Sequence, residues 1–189
     1  FAIAPDGTGK RRPLSTAPAN NEFDYQSIAV SPDGSHVTFT RWFSHGPDGR
    51  PYPSSLGWLP RVYVLDIATG TEVALPTPAG TGQSGPAVYS PDGALVAYAR
   101  VYREGAFQIV VANADGSGNE RTIGPRKPGP TDGTDVAAWW NFTPDGTALL
   151  VRYGNDEWGT TQMLPLDGSP ATDLGTGGMD FIDMQRLRP

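Results

Sequence analysis

The sequence predicts an all-β protein assembled from four-stranded antiparallel sheets, and three observations lead to this prediction. A Ser/Thr-Pro-Asp-Gly tetrapeptide occurs three times, starting at Ser31, Ser90 and Thr143, with an apolar run on each side. A second series of turn sequences, rich in Asp, Gly and Thr, lies between these copies. The chain also has 24 Gly and 19 Pro at turn positions among its 189 residues, and it lacks a convincing helical periodicity.

Each tetrapeptide has the composition of a tight turn between two strands. Proline sets φ near about −65°, the following Asp can hydrogen-bond its own backbone, and Gly takes the left-handed conformation. A cation held by the recurring aspartates is the alternative, because carboxylate oxygens are hard-cation ligands. We favour the structural role for the nine repeated turn residues, which are Pro32, Asp33, Gly34, Pro91, Asp92, Gly93, Pro144, Asp145 and Gly146.

The two turn series together predict four strands in each repeat. Alternating residues after each tetrapeptide predict a second strand, at residues 36–40, 95–100 and 148–153. The other turns, at residues 67–72, 113–120 and 166–169, join a third strand to a fourth. Sheets of this kind arranged radially are the blades of a β-propeller. We expect a single domain over residues 1–189, with blades at about residues 24–78, 84–125 and 135–175.

The alternation of Ser-Pro-Asp-Gly, as at residues 90–93, with Asp-Gly-Ser-Gly, as at residues 115–118, resembles the TolB-like propeller family, also called PD40 or WD40-like repeats. The resemblance extends over nearly the whole chain. The segment at residues 183–187 is similar to a D-W-Q-x-L strand that often follows the last blade, with Met184 in place of Trp. The resemblance implies a bacterial protein outside the cytoplasm, either periplasmic or extracellular, that binds other proteins in envelope assemblies.

The two ends of the chain predict an incomplete fourth blade. Residues 1–14 have the pattern of its last two strands, and residues 179–187 have that of a first strand. They either pair and close a small ring, or leave an open arc that self-associates or belongs to a longer propeller. Because the chain starts at Phe1 and not at Met, we expect a processed or shortened form without its signal or anchor.

Composition excludes several classes of function. A net charge of −6 and a pI near 4.8 argue against nonspecific nucleic-acid binding, which needs a basic surface. The absence of Cys excludes disulfides and thiol catalysis. No apolar run approaches the length of a membrane-spanning helix, so we predict no membrane insertion.

The sequence contains no pattern that predicts catalysis, a metal site or a cofactor. The two histidines, His36 and His45, have no partner at ligand spacing, so we assign them structural or surface roles. Residues 80–85 match a GxGxxG dinucleotide fingerprint by letter, but no helix is predicted after them, so we interpret the segment as a loop between blades. The G-x-S-x-G motif of serine hydrolases is absent. We therefore predict that the chain is not an enzyme.

The long connections predict the binding surface. In a four-stranded blade the short turns lie on one rim, and the longer segments at residues 43–60, 124–134 and 155–160 lie on the opposite rim. Long loops on a rigid scaffold commonly carry binding residues, and Trp, Tyr and Arg dominate interface hot spots. We expect binding of a protein or peptide there. A carbohydrate or small-molecule site with Trp and Tyr platforms is the alternative, and a carboxylate-dependent lyase or hydrolase ranks last. The candidate binding residues are Arg50, Tyr52, Trp58, Asp156 and Trp158.

Overall fold

The computed structural model of this chain describes residues 23–43, 60–79, 81–102, 106–128, 137–154 and 159–176. These residues form strands and turns, with no helix among them, which confirms the all-β prediction. The strands, in chain order, are β1 (Phe23–Val30), β2 (His36–Phe43), β3 (Arg61–Asp66), β4 (Glu72–Ala74), β5 (Thr81–Tyr89), β6 (Leu95–Tyr102), β7 (Phe107–Asn113), β8 (Arg121–Lys127), β9 (Ala137–Phe142), β10 (Ala148–Gly154), β11 (Gly159–Pro165) and β12 (Thr172–Thr176).

Each run of four consecutive strands forms one antiparallel sheet. The first sheet has the order β1-β2-β3-β4, the second β5-β6-β7-β8 and the third β9-β10-β11-β12. The first strands of the sheets, β1, β5 and β9, lie next to one another. Sequence-adjacent pairing with short hairpins is the arrangement that the two turn series predict.

The three tetrapeptide turns have nearly the same geometry. The amide of Gly34 donates to the carbonyl of Ser31 at 2.9 Å, and the equivalent bonds of Gly93 and Gly146 are both 2.8 Å. The three glycines have φ angles of 72°, 76° and 72°, in the left-handed region that favours Gly. Consecutive turns also stack, because a Cβ at Gly93 would meet Pro32 and one at Gly146 would meet Pro91, each at 3.5 Å.

Both hairpin turns of a sheet lie at the same end of it. In the first sheet the amide of Ile67 donates to the carbonyl of Ser35 at 2.9 Å, which ties the β3–β4 turn to the β1–β2 turn. Bonds of the same length join the paired turns of the second and third sheets. We call this end of the sheets the turn end. The strand ends that the long connections join therefore lie at the opposite end, which we call the loop end.

The sheets pack face to face through two apolar clusters, one on each side of the second sheet. Strand β6 shows the alternation, because Val96 and Tyr98 pack toward the first sheet while Ala97 and Ala99 pack toward the third. A sheet that is buried on both faces needs apolar residues at successive positions, which explains the continuous apolar runs in β6 and β7. We call the contact of the first two sheets the first interface and that of the last two the second interface.

The interpretation of residues 80–85 as a loop between blades is wrong, because residues 81–85 belong to strand β5. Gln83 lies within this strand and is fully buried. Its side chain accepts from the Val62 amide at 3.0 Å and donates to the Pro76 carbonyl at 2.9 Å. The backbone amide of Gln83 donates to the Pro60 carbonyl at 2.8 Å. The segment is a strand because residues 81–84 pair with β6, and the Gln83 side chain in addition satisfies two backbone groups of the first repeat.

Candidate functional site

The three repeats converge on one groove at the turn end. Its apolar walls include Val30, Tyr89 and Phe142, which occupy the same position in each repeat, directly before the Ser or Thr of the turn. The repeated prolines complete the walls. The groove has a volume of about 260 Å³. We call it the inner groove, lined by Ala29, Val30, Pro32, Val88, Tyr89, Ser90, Pro91, Asn141, Phe142 and Pro144.

Exposed apolar side chains on the same strands accompany the inner groove. Val30, in its wall, is 58% exposed, and Ile28 on the same strand is 67% exposed. On the third sheet, Trp139 is 44% exposed and lies two residues before Asn141 of the groove. Ile28 and Val30 form an exposed apolar pair on β1, and such pairs are found at interaction surfaces.

A second cavity adjoins the inner groove and is acidic. It lies between the turns of the first and second sheets, has a volume of about 420 Å³, and shares Pro32 and Tyr89 with the inner groove. Asp33, Asp92 and Asp115 line it, and each comes from a different turn. We call this cavity the acidic recess, lined by Ser31, Pro32, Asp33, His36, Tyr89, Asp92, Gly93, Ala114 and Asp115.

Hydrogen bonds within the turns hold these carboxylates ionised. The Ser31 hydroxyl donates to Asp33 Oδ1 at 2.6 Å, and the Ser35 amide donates to the same oxygen at 3.0 Å. The pKa of Asp33 is therefore well below its ordinary value. Donation from Ser90 lowers the pKa of Asp92, and donation from Ser117 lowers that of Asp115. The acidic recess keeps its negative charge across the physiological pH range.

Tyr89 forms the wall between the two cavities. Its hydroxyl oxygen is buried and has no hydrogen-bond partner in the part of the chain that the structure describes. Burial, reinforced by the charge of Asp33, raises its pKa, so the phenol stays protonated. The phenol is therefore a buried donor that the described part of the chain leaves unsatisfied.

His36 lies at the edge of the acidic recess, as the first residue of β2. Its Nδ1 is 2.6 Å from the Ser35 hydroxyl, and its Nε2 is 3.9 Å from Asp66 Oδ2. The side chain is 40% exposed. His45, the other histidine, lies outside the described residues.

The five candidate binding residues predicted from the sequence lie outside the described residues. Arg50, Tyr52 and Trp58 fall within residues 44–59, and Asp156 and Trp158 fall within residues 155–158. The strands that flank these segments end at the loop end. The predicted site at the loop end therefore stays a prediction, and so does the partial blade of residues 1–14 and 179–187.

Sequence reasoning missed the inner groove and Tyr89. The signal was present, since each repeat carries an apolar residue directly before its Ser/Thr-Pro dipeptide, and innermost strands bring equivalent positions together. The described ranges contain no group of three His, Asp or Glu side chains that could hold a metal ion. Within the same ranges, no helix is long and apolar enough to cross a membrane.

Comparisons with known proteins find their matches among solved structures. No family model matches the chain, and neither does any curated protein. A protein from Agrobacterium tumefaciens assigned as TolB superimposes with a TM-score of 0.54 at 23% identity, over 84% of this chain and 51% of that one. TolB from Acinetobacter baumannii gives 0.53 at 16% identity, over 82% and 33%.

A peptidase shares the same fold. The puromycin-hydrolyzing peptidase of Mycobacterium tuberculosis superimposes with a TM-score of 0.53 at 19% identity, over 90% of this chain and 26% of that one. This chain thus spans about half the length of the Agrobacterium protein and about a third of the Acinetobacter protein. At these identities the likeness is one of architecture, and it assigns this chain a TolB-like β-propeller fold.

Proposed function

We propose that this chain is a noncatalytic propeller module of an extracytoplasmic bacterial protein, and that it binds a protein or peptide partner. Structures named TolB and a structure named as a peptidase share its fold, so the fold alone does not select between binding and catalysis. Noncatalytic binding and the location outside the cytoplasm follow from the resemblance of the repeats to the TolB-like family.

The inner groove is the observation that carries this proposal. It is concave, its walls combine apolar side chains with the polar residues Ser90 and Asn141, and the Val30 and Ile28 side chains are each more than half exposed. The groove is formed by three sheets that are fixed by buried contacts, so a ligand would meet a preformed surface. A preformed groove that combines apolar side chains with polar groups is typical of peptide sites.

Selection from a random-peptide display library tests the proposal. We expect the chain to enrich peptides that lose binding when Val30 is replaced by Asp, because the charge would lie in the wall of the inner groove. Leu174→Asp is the matched control, since Leu174 is 53% exposed on the outer strand β12 and does not line the groove. Thermal melting of both variants checks that they fold.

Three other outcomes would change the location of the binding site, the class of ligand or the noncatalytic assignment. Enriched peptides that ignore Val30→Asp but lose binding on Trp58→Ala or Trp158→Ala would move the site to the predicted loop end. Binding on a glycan array with no peptide enriched would support the carbohydrate alternative. Turnover of a peptide by the purified chain would contradict the noncatalytic proposal.

A further inference from the structure

We propose that the inner groove and the acidic recess together bind an extended peptide segment in which a basic side chain stands next to an apolar one. The apolar side chain would occupy the inner groove, and the Lys or Arg side chain would enter the acidic recess. This inference rests on the proposed peptide-binding function and names the chemistry of the partner.

Adjacency is the first argument. The two cavities share Pro32 and Tyr89, so a ligand that fills one extends directly into the other. Their linings differ in charge, because three carboxylates line the acidic recess, whereas none of the described residues that line the inner groove is charged. A single segment with two unlike neighbouring side chains complements both.

Charge complementarity is the second argument. Three aspartates line the acidic recess, and no Lys or Arg does so among the described residues. The Oδ2 atom of Asp92 receives no hydrogen bond within the described ranges, while its Oδ1 is used by the Ser90 hydroxyl and the Ala94 amide. A guanidinium or ammonium group can therefore bond to Asp92 without breaking the turn.

The test uses the peptides selected by display on the unmodified chain. We expect their consensus to contain Lys or Arg beside an apolar residue. A fluorescein-labelled consensus peptide should bind the double variant Asp92→Asn/Asp115→Asn about tenfold more weakly or worse, because each change removes a charged acceptor. Asn keeps an oxygen for the turn bonds, so the sheets should remain folded.

The third sheet supplies a control with the same change of charge. Asp145 and Asp167 occupy the equivalent turn positions, accept equivalent bonds and do not line the acidic recess. Asp145→Asn/Asp167→Asn should leave the affinity for the peptide unchanged. Citrulline in place of the peptide's Arg should reproduce the loss of affinity seen with Asp92→Asn/Asp115→Asn.

Two results would overturn this inference and leave the proposed function standing. They are selected peptides without a basic residue, or equal affinities of the two double variants for the peptide. Failure to select any peptide would overturn both.

Discussion

The two interfaces of the second sheet join the same kinds of strands by different means. At the first interface, apolar side chains, the largest of them Tyr98 and Leu75, are combined with buried polar bonds, because Thr38 donates to the Ala87 carbonyl at 2.6 Å and Gln83 bonds to the first sheet. At the second, Trp140 and Phe142 fill the space, and the Trp140 indole donates to the Ala97 carbonyl at 3.1 Å.

The β5 and β9 sequences explain this difference. Strand β5 carries Gln83, whose side chain bonds to the first sheet, whereas β9 carries two tryptophans, of which Trp140 is buried at the second interface. The repeats thus place equivalent strands in equivalent positions, while the side chains at the two interfaces differ. The consequence is that equivalent substitutions should have unequal costs at the two interfaces.

Truncation of Trp140 should have the largest effect. Trp140 is 4% exposed, and Trp140→Ala would remove its packing against the second sheet together with the indole bond. We expect a loss of about 3–5 kcal/mol in the free energy of unfolding, measured by chemical denaturation. Trp139→Ala is the control, because that neighbour is exposed, and its cost should be much smaller. Equal costs would contradict the described orientation of β9.

Truncation of Gln83 should test the polar character of the first interface. Gln83→Ala would leave the buried Val62 amide without its acceptor and would remove the bond to the Pro76 carbonyl. We expect a loss of about 2–4 kcal/mol in unfolding free energy, since the unpaired amide has a desolvation cost and the truncated side chain leaves a cavity. Gln108→Ala, which removes an exposed bond to the Gly124 carbonyl and a partly buried bond from the Tyr102 hydroxyl, should cost less. A negligible loss for Gln83→Ala would show that water replaces these bonds.

A pair of glycines should separate packing from backbone strain. Gly116 and Gly168 occupy equivalent turns and have φ angles of 78° and 85°. A Cβ at Gly116 would come within 2.8 Å of Val73 Cγ1, whereas at Gly168 nothing lies within 4 Å. We expect Gly168→Ala to cost about 1 kcal/mol from φ alone, and Gly116→Ala about 2–3 kcal/mol. Identical melting temperatures of the two variants would contradict the close contact at the first interface.

The turn aspartates should give the smallest effect, and one that is shared by all three sheets. The pKa values of Asp33, Asp92 and Asp145 are lowered in the folded chain, so the unfolded chain binds more protons in acid. Stability from these groups is complete above the ordinary Asp value of 3.8 and is lost as the pH falls below it toward the folded pKa values. Denaturation at a series of pH values should show a shallower acid slope for Asp92→Asn and for Asp145→Asn alike. A change in only one of them would contradict the equivalence of the turns.

The sequence predicted the parts of this fold that depend on local chemistry. The Pro-Asp-Gly turns mark the starts of β2, β6 and β10 at His36, Leu95 and Ala148, because turn geometry is determined by adjacent residues. The role of Gln83 was not predictable, since its partners Val62 and Pro76 are set by the packing of two sheets. The inner groove was missed although each repeat carries an apolar residue before its Ser/Thr-Pro dipeptide, because this local signal does not show that Val30, Tyr89 and Phe142 line one groove.

Photo-crosslinking of a bound peptide would test the account's central claim most directly. A selected consensus peptide with a benzophenone group in place of its apolar residue would be irradiated with the chain, and the attachment sites mapped by mass spectrometry. The account predicts attachment at residues 28–32, 88–91 and 141–144, which surround the inner groove. Attachment within residues 44–59 or 155–158, or along β8 and β12, would contradict it and place the partner on another surface.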